Sequence, residues 1–184
     1  MSACDDAERR LFADTLACDD EFPFVWHPAA SRHALADAAR RAENTLRAMA
    51  LLDDTRGEED GAEALPPRIE AKVDLALSML GLIVAQQQAI PAPQPVHWSR
   101  HGFRLELSAA PEDGSNGLLS VYLLPGMPLP VDLPVLVLCS AASAHGASVW
   151  LQVPDTPLAL RTALERELFR RHRRLVHEQR VIRR

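Results

Sequence analysis

Cysteine, lysine and long apolar runs are all scarce in this 184-residue chain. The three cysteines, Cys4, Cys18 and Cys139, stand far apart, with no CxxC pair and no metal-ligand spacing. An odd number of thiols, in a chain whose first residues carry Asp5, Asp6 and Glu8 rather than a secretory n-region, is expected in a reducing cytoplasm. The longest apolar run, Ala76 to Ala85, is interrupted by Ser78 and Gly81. It is half the roughly 20 residues a membrane-spanning helix needs, so no span is expected. Lys72 is the single lysine, and the remaining basic side chains are arginines, from which no mechanism follows.

Catalytic signatures are missing too. There is no GxGxxG, no phosphate-binding GxxxxGK[ST] and no GxSxG. The histidines are scattered. His97 and His101 are four apart, but in a strand-and-turn context that spacing does not share a face, and His172 and His177 sit among arginines that oppose a metal ion. Asp113 beside Glu112 reads as a turn acid, and Ser99 has no sequence pattern pairing it with a base. No enzyme, no metal site and no resident cofactor are therefore expected.

What is present is enough apolar sequence, 47% of residues, for one domain with a sizeable appendage. Charge is unevenly distributed. Residues 1–70 hold 16 acidic against 8 basic side chains, whereas residues 161–184 hold nine arginines against three glutamates. Such a basic block is either the solvated face of a terminal helix, complementing its dipole, or a patch for nucleic acid or a membrane.

The apolar spacing changes along the chain. Ala7 to Ala17 can form a short helix, and Phe22-Pro-Phe-Val-Trp26 reads as a strand stopped by Pro28. Ser31 to Asp54 reads as a helix capped by Ser31, with Leu35, Ala38, Ala42, Thr45, Met49 and Leu52 as its stripe. A second helix opens at Leu65-Pro-Pro67 and runs to about Gln88, where Pro91, Pro93 and Pro95 follow. From Val96 to Val153 the period becomes two: Phe103–Leu107, Leu118–Leu124, Leu133–Ser140 and Ser148–Val153 are strand candidates, with a turn at Asp113–Gly117. Pro154-Asp-Thr-Pro157 starts a last helix, with Leu160, Leu164, Leu168 and Leu175 as its apolar side and Asp155 or Thr156 as its cap.

The second helix carries heptads. With Ile69 at d, Val73 falls at a, Ala76 at d, Leu80 at a, Ile83 at d and Gln87 at a. Leucine at a with isoleucine at d favours trimers and tetramers over dimers. The outer side, with Leu75 and Leu82, is apolar as well, so the helix needs burial on most sides. The plainer alternative is a core helix of a monomer.

His97-Trp-Ser-Arg-His-Gly102 resembles the second signature of PilZ domains, (D/N)xSxxG. The Pro-rich approach, the strand Phe103–Leu107, the next strand with its proline-rich turn, the apolar Leu133–Cys139 and the terminal helix Leu164–Arg174 agree with that family over residues 94–178. The family's RxxxR signature is matched only by Glu8-Arg-Arg-Leu-Phe-Ala-Asp14, where Arg9 and Arg10 are each followed four residues on by Ala13 and Asp14. The resemblance implies an α+β protein with a six-stranded antiparallel barrel, Phe22–Trp26 as its first strand and residues 31–90 as an inserted helical segment. It is similar to the divergent, tetramer-forming type. The implied ligand is cyclic di-GMP, and the implied site residues are Arg9, Arg10, Ser99 and Gly102.

Two departures bear on that ligand. Asp14 puts repulsion where an arginine would pair with phosphate, and His97 offers neither carboxylate nor amide to a guanine. Two lost contacts of about 1.5–3 kcal/mol each weaken binding by roughly two to four decades. Ser99 and Gly102 then serve only to shape a strand-to-turn corner, with Gly102 supplying positive φ. The expected organisation is an N-terminal segment 1–30, an oligomerising pair of helices 31–90 and a barrel with its C-terminal helix over 94–184. The expected function is a cytoplasmic, homotetrameric, non-catalytic adaptor of cyclic di-GMP signalling that contacts another protein. The rivals are a true receptor using Arg100, Arg104 or the C-terminal arginines, and a nucleic-acid binder using residues 161–184.

Overall fold

The computed structural model describes residues 2–28, 31–57, 90–124, 129–144, 146–155 and 157–182. Among the described residues, three helices, α1 (Ala3–Phe12), α2 (Arg32–Gly57) and α3 (Leu158–Ile182), accompany seven strands. The strands are β1 (Ala17–Phe22), β2 (Phe24–Pro28), β3 (Gln94–Ser99), β4 (Gly102–Leu107), β5 (Asn116–Val121), β6 (Val131–Ser143) and β7 (Gly146–Gln152). All pairs are antiparallel, in the order β1-β3-β4-β7-β6-β5-β2.

The strand count is seven rather than six, and Pro23 is the reason. Proline has no N–H for a ladder, so the run expected as one strand over Phe22–Trp26 divides there. Its first part begins earlier, at Ala17, and pairs with β3, while its second part pairs with β5. These are the two opposite edges of the sheet. One residue joins them, so the sheet must curl until its edges meet at Pro23, whose carbonyl accepts from Tyr122 N at 3.0 Å.

Side chains alternate along each strand, and one set fills the interior. Val96, Trp98, Phe103, Leu105, Leu119, Leu133, Val135, Val137, Val149 and Leu151 are buried in one cluster. Trp98 stacks on Phe103 at 5.8 Å and takes the edge of Phe22 at 6.1 Å. Helices α2 and α3 belong to the same cluster through Ala39, Ala42, Leu46 and Met49 and through Leu160, Leu164 and Leu168. Ser31 caps α2, its Oγ accepting from Ala34 N at 3.2 Å.

Helix α3 is pinned by Arg171. Its guanidinium reaches Asp20 at 2.7 Å, Glu167 at 3.3 Å and the carbonyl of Leu123, and lies over the Phe22 ring at 5.4 Å. Asp155, a candidate cap for α3, instead accepts from Arg161 at 2.6 Å. The turn before β5 places Gly114 at φ 80°, where its missing side chain is required. The helix expected at 65–88, with Ile69, Val73, Ala76, Leu80, Ile83 and Gln87, lies outside the described residues.

The N-terminal helix is displaced from its expected place at Ala7–Ala17. It starts at Ala3 because Ser2 and Asp5 form a capping box, Ser2 Oγ accepting from Asp5 N and Asp5 Oδ2 from Ser2 N. It lies on the opposite face of the sheet from α2 and α3, with Ala7 and Leu11 buried.

Candidate functional site

The outward side chains of the sheet form a row. Strand register places Asp19 opposite His97, His97 opposite Arg104, Arg104 opposite Trp150, and Trp150 opposite Cys139. Helix α1 runs along this row. Cys4, Glu8 and Phe12, four residues apart, share one helical face. Each meets a different strand: the Phe12 ring contacts His97 edge-on at 4.5 Å, Glu8 accepts from Arg104 at 2.8 Å and from Trp150 Nε1 at 2.6 Å, and Cys4 is disulfide-bonded to Cys139. The match is metric. Eight helical residues advance about 12 Å, and the three steps from β3 to β6 cover about 14 Å.

The corner beneath the end of α1 holds the motif residues. Ser99 is fully buried; its Oγ donates to the Leu11 carbonyl at 2.7 Å and accepts from His101 N at 3.0 Å. The Leu11 carbonyl is one of those a helix end leaves without an internal partner, so Ser99 completes the end of α1. Gly102 is not at positive φ, contrary to the sequence reading. A Cβ there would lie 2.0 Å from the Leu151 carbonyl oxygen and 2.9 Å from Leu11 Cδ2, so glycine is needed for close approach of β7 and α1. Arg9 and Arg10 are exposed on α1, Arg9 pairing with Asp6. Asp14 is exposed just past the helix. The structure thus brings Ser99 and Gly102 together with α1 but keeps Arg9 and Arg10 out of their corner.

The cations near the corner already have partners. Arg100 pairs with Glu165 at 2.9 Å, Arg104 with Glu8, and Arg161 with Asp155. Arg100 Nε and Arg161 also approach the two ring nitrogens of His101, each at 3.2 Å. Burial holds the His101 imidazole below its ordinary pKa, and the neighbouring Arg161 and Arg100 push it the same way. A shallow concavity is lined by Asp19, Asp20, His97, Arg104, Glu106 and Ser148. Asp19 Oδ1 accepts from His97 Nδ1 at 2.6 Å, and Glu106 accepts from the hydroxyls of Ser143 and Ser148. Three carboxylates against one arginine, Arg104, in that lining disfavour a phosphodiester, even with Asp20 paired to Arg171. Among the described residues no group of three or more His, Cys, Asp or Glu is placed to hold a metal ion.

The disulfide corrects the expectation of unpaired thiols. Cys4 and Cys139 are 135 residues apart in sequence, with Cα atoms 5.4 Å apart. No spacing rule could have paired them. Only Cys18 stays free; it is buried, and burial, reinforced by Asp20 and Asp19, pushes its thiol up to about 11. The Cys4–Glu8–Phe12 repeat was the available signal for α1, but its partners lie on four separate strands.

The atypical PilZ domain model, described as a cyclic di-GMP receptor, matches residues 46–181. The chain belongs to this family. Among solved structures, the PilZ chain is similar to a pathogenic protein from Xanthomonas campestris, described as a new tetrameric PilZ domain self-assembled via an unusual helical bundle. The two share 34% identity with a TM-score of 0.81, over 95% of this chain and 98% of that one. None of the curated proteins matches. The family match begins within α2, so α1 and the two strands on either side of Pro23 lie outside it. No helix among the described residues of this PilZ protein is long and apolar enough to cross a membrane.

Proposed function

We propose that this PilZ protein is a non-catalytic, oligomeric adaptor in bacterial cyclic di-GMP signalling with a degraded nucleotide motif: Ser99 and Gly102 now seat its own helix α1, and Arg9 and Arg10 are exposed on that helix. The observation that carries the reading is the Ser99 hydroxyl, fully buried and engaged at both ends by Leu11 and His101. A ligand at that corner would have to displace α1. The acidic lining of the neighbouring concavity and the pairing of Arg104 with Glu8 support the same conclusion.

In this reading residues 31–90 form the oligomerisation segment, through Ile69, Val73, Ala76, Leu80, Ile83 and Gln87, and residues 94–184 the barrel with its terminal helix. The first barrel strands come from the N-terminal segment 1–30. The similar Xanthomonas protein is tetrameric, and a tetramer is the assembly expected here, acting in the cytoplasm through contacts with another protein. Isothermal calorimetry with cyclic di-GMP tests the reading: no heat up to about 100 μM ligand is expected, and micromolar binding overturns it. Light scattering on the eluting protein should return four chains, unchanged by the nucleotide.

One observation favours the receptor alternative. Arg100 and Arg161 do converge on the Ser99–Gly102 corner through His101. Release from Glu165 and Asp155 would give a cyclic dinucleotide, with its two phosphodiesters, two guanidinium groups. Micromolar binding that is abolished by Arg161→Ala would establish this version.

A further inference from the structure

Helix α1 is held to the sheet at two places of different chemistry. Its second half is seated by non-covalent contacts: Leu11 buried, Phe12 on His97, Glu8 on Arg104 and Trp150, and Ser99 on the Leu11 carbonyl. Its first turn is exposed at Ala3, Asp5 and Asp6, and the side chains of Ser2 and Asp5 each bond to the other's backbone N–H. There the tie to the sheet is covalent, through Cys4 to Cys139 on β6. We propose that Cys4 and Cys139 form a reversible thiol–disulfide site, exchanging with low-molecular-weight thiols and disulfides, that fastens or frees the first half of α1.

Accessibility sets the order of the steps. Cys4 is half-buried, whereas Cys139 is 3% exposed beneath the helix. An incoming thiolate therefore attacks Cys4 Sγ, the protein disulfide breaks, and the electron pair leaves on Cys139 Sγ, which takes up a proton. A second thiolate attacks the mixed disulfide at the sulfur of the small molecule, and the Cys4 thiolate leaves and is protonated. One protein disulfide and two small thiols become two protein thiols and one small disulfide; closure is the reverse. The third cysteine does not compete. Cys18 faces the core on the other side of the sheet, and its thiol resists ionisation.

Opening leaves Glu8, Leu11 and Phe12 in place and loosens the turn above Cys139 and Trp150. The pair is thereby suited to read redox state without dismantling the fold. The cytoplasmic setting rests on the function proposed above; there, disulfides are transient and redox-sensing rather than permanent.

The test uses the full chain, equilibrated in graded ratios of reduced and oxidised glutathione, quenched by alkylation and mapped by mass spectrometry. Amide hydrogen exchange is then followed over residues 3–12. The Cys4–Cys139 link should follow the glutathione ratio in both directions, be kept in Cys18→Ser and be lost in Cys4→Ser. Exchange in α1 should quicken by roughly tenfold or more in the reduced protein and in Cys4→Ser, with β6 and β7 unchanged. If Cys4→Ser does not fold, reduced wild-type protein supplies the same comparison. A pair that stays reduced at the oxidised end, stays linked at the reduced end, or forms without altering exchange in α1 overturns the proposal. None of these readouts involves cyclic di-GMP, so failure here and failure of the adaptor reading are separately visible.

Discussion

Replacing Ser99 by alanine removes one oxygen and strands two backbone groups. The Leu11 carbonyl loses its donor at the end of α1, and His101 N–H loses its acceptor in the β3–β4 turn. Ser99 is fully buried, so water cannot reach the carbonyl without opening the corner. An orphaned buried acceptor costs about 1–3 kcal/mol. The His101 amide, in a half-buried turn, regains part of its loss from solvent, so the sum is about 2–4 kcal/mol. For a chain of this size that lowers Tm by roughly 4–16 °C. The assay is urea unfolding at fixed protein concentration, because the oligomer proposed above would make stability depend on it. Hydrogen exchange over residues 3–12 adds a local readout and should quicken more than that of β6. A change below about 0.5 kcal/mol, the size of an ordinary surface substitution, would refute the account of Ser99 as the seat of α1. A ligand-holding serine behaves in the opposite way, leaving the free protein unaffected and weakening only the ligand.

Three further outcomes are expected. Gly102→Ala forces a methyl against the Leu151 carbonyl and should destabilise by about 2–3 kcal/mol in the same urea assay, even though φ at this position suits any residue. Arg171→Ala leaves the half-buried Asp20 without this cation and the buried Glu167 with Arg170 alone, at a cost of about 3 kcal/mol, whereas Arg166→Ala, exposed on the same helix, should cost little in a parallel melt. His101 has a folded pKa below its ordinary 6.5, so the unfolded chain takes up its proton first as pH falls. Its contribution is complete above about 6.5 and declines below, and His101→Gln should flatten the wild-type fall in stability between pH 7.5 and 5.5.

Local features of the fold were legible because they follow from spacing. Period-two stretches became β4 to β7, Ser31 capped α2, and Leu160, Leu164 and Leu168 face the core. The corner at Ser99–Gly102 was legible as a corner, but the reason for its glycine was not: it depends on β7 and α1, which approach from distant sequence. The division at Pro23 was visible as a proline but not as a change of partner strand, because both partners lie beyond residue 90. The row from His97 to Cys139 takes one residue from each of four strands, and no single segment carries its pattern.

The joint at Pro23 has a consequence for synthesis. Phe22, Phe24 and Trp26 leave the ribosome early, but their sheet partners, Gln94 and the Val121–Leu119 stretch, follow many tens of residues later. At about 5–20 residues per second, the aromatic segment waits roughly 5–20 s for β5. During that interval it is an unpaired, apolar strand, and Pro23 and Pro28 blunt its appetite for other chains. Barrel closure is then a late event that joins contacts distant in sequence and is correspondingly slow. The nascent chain, rather than the finished protein, is the form most in need of a chaperone.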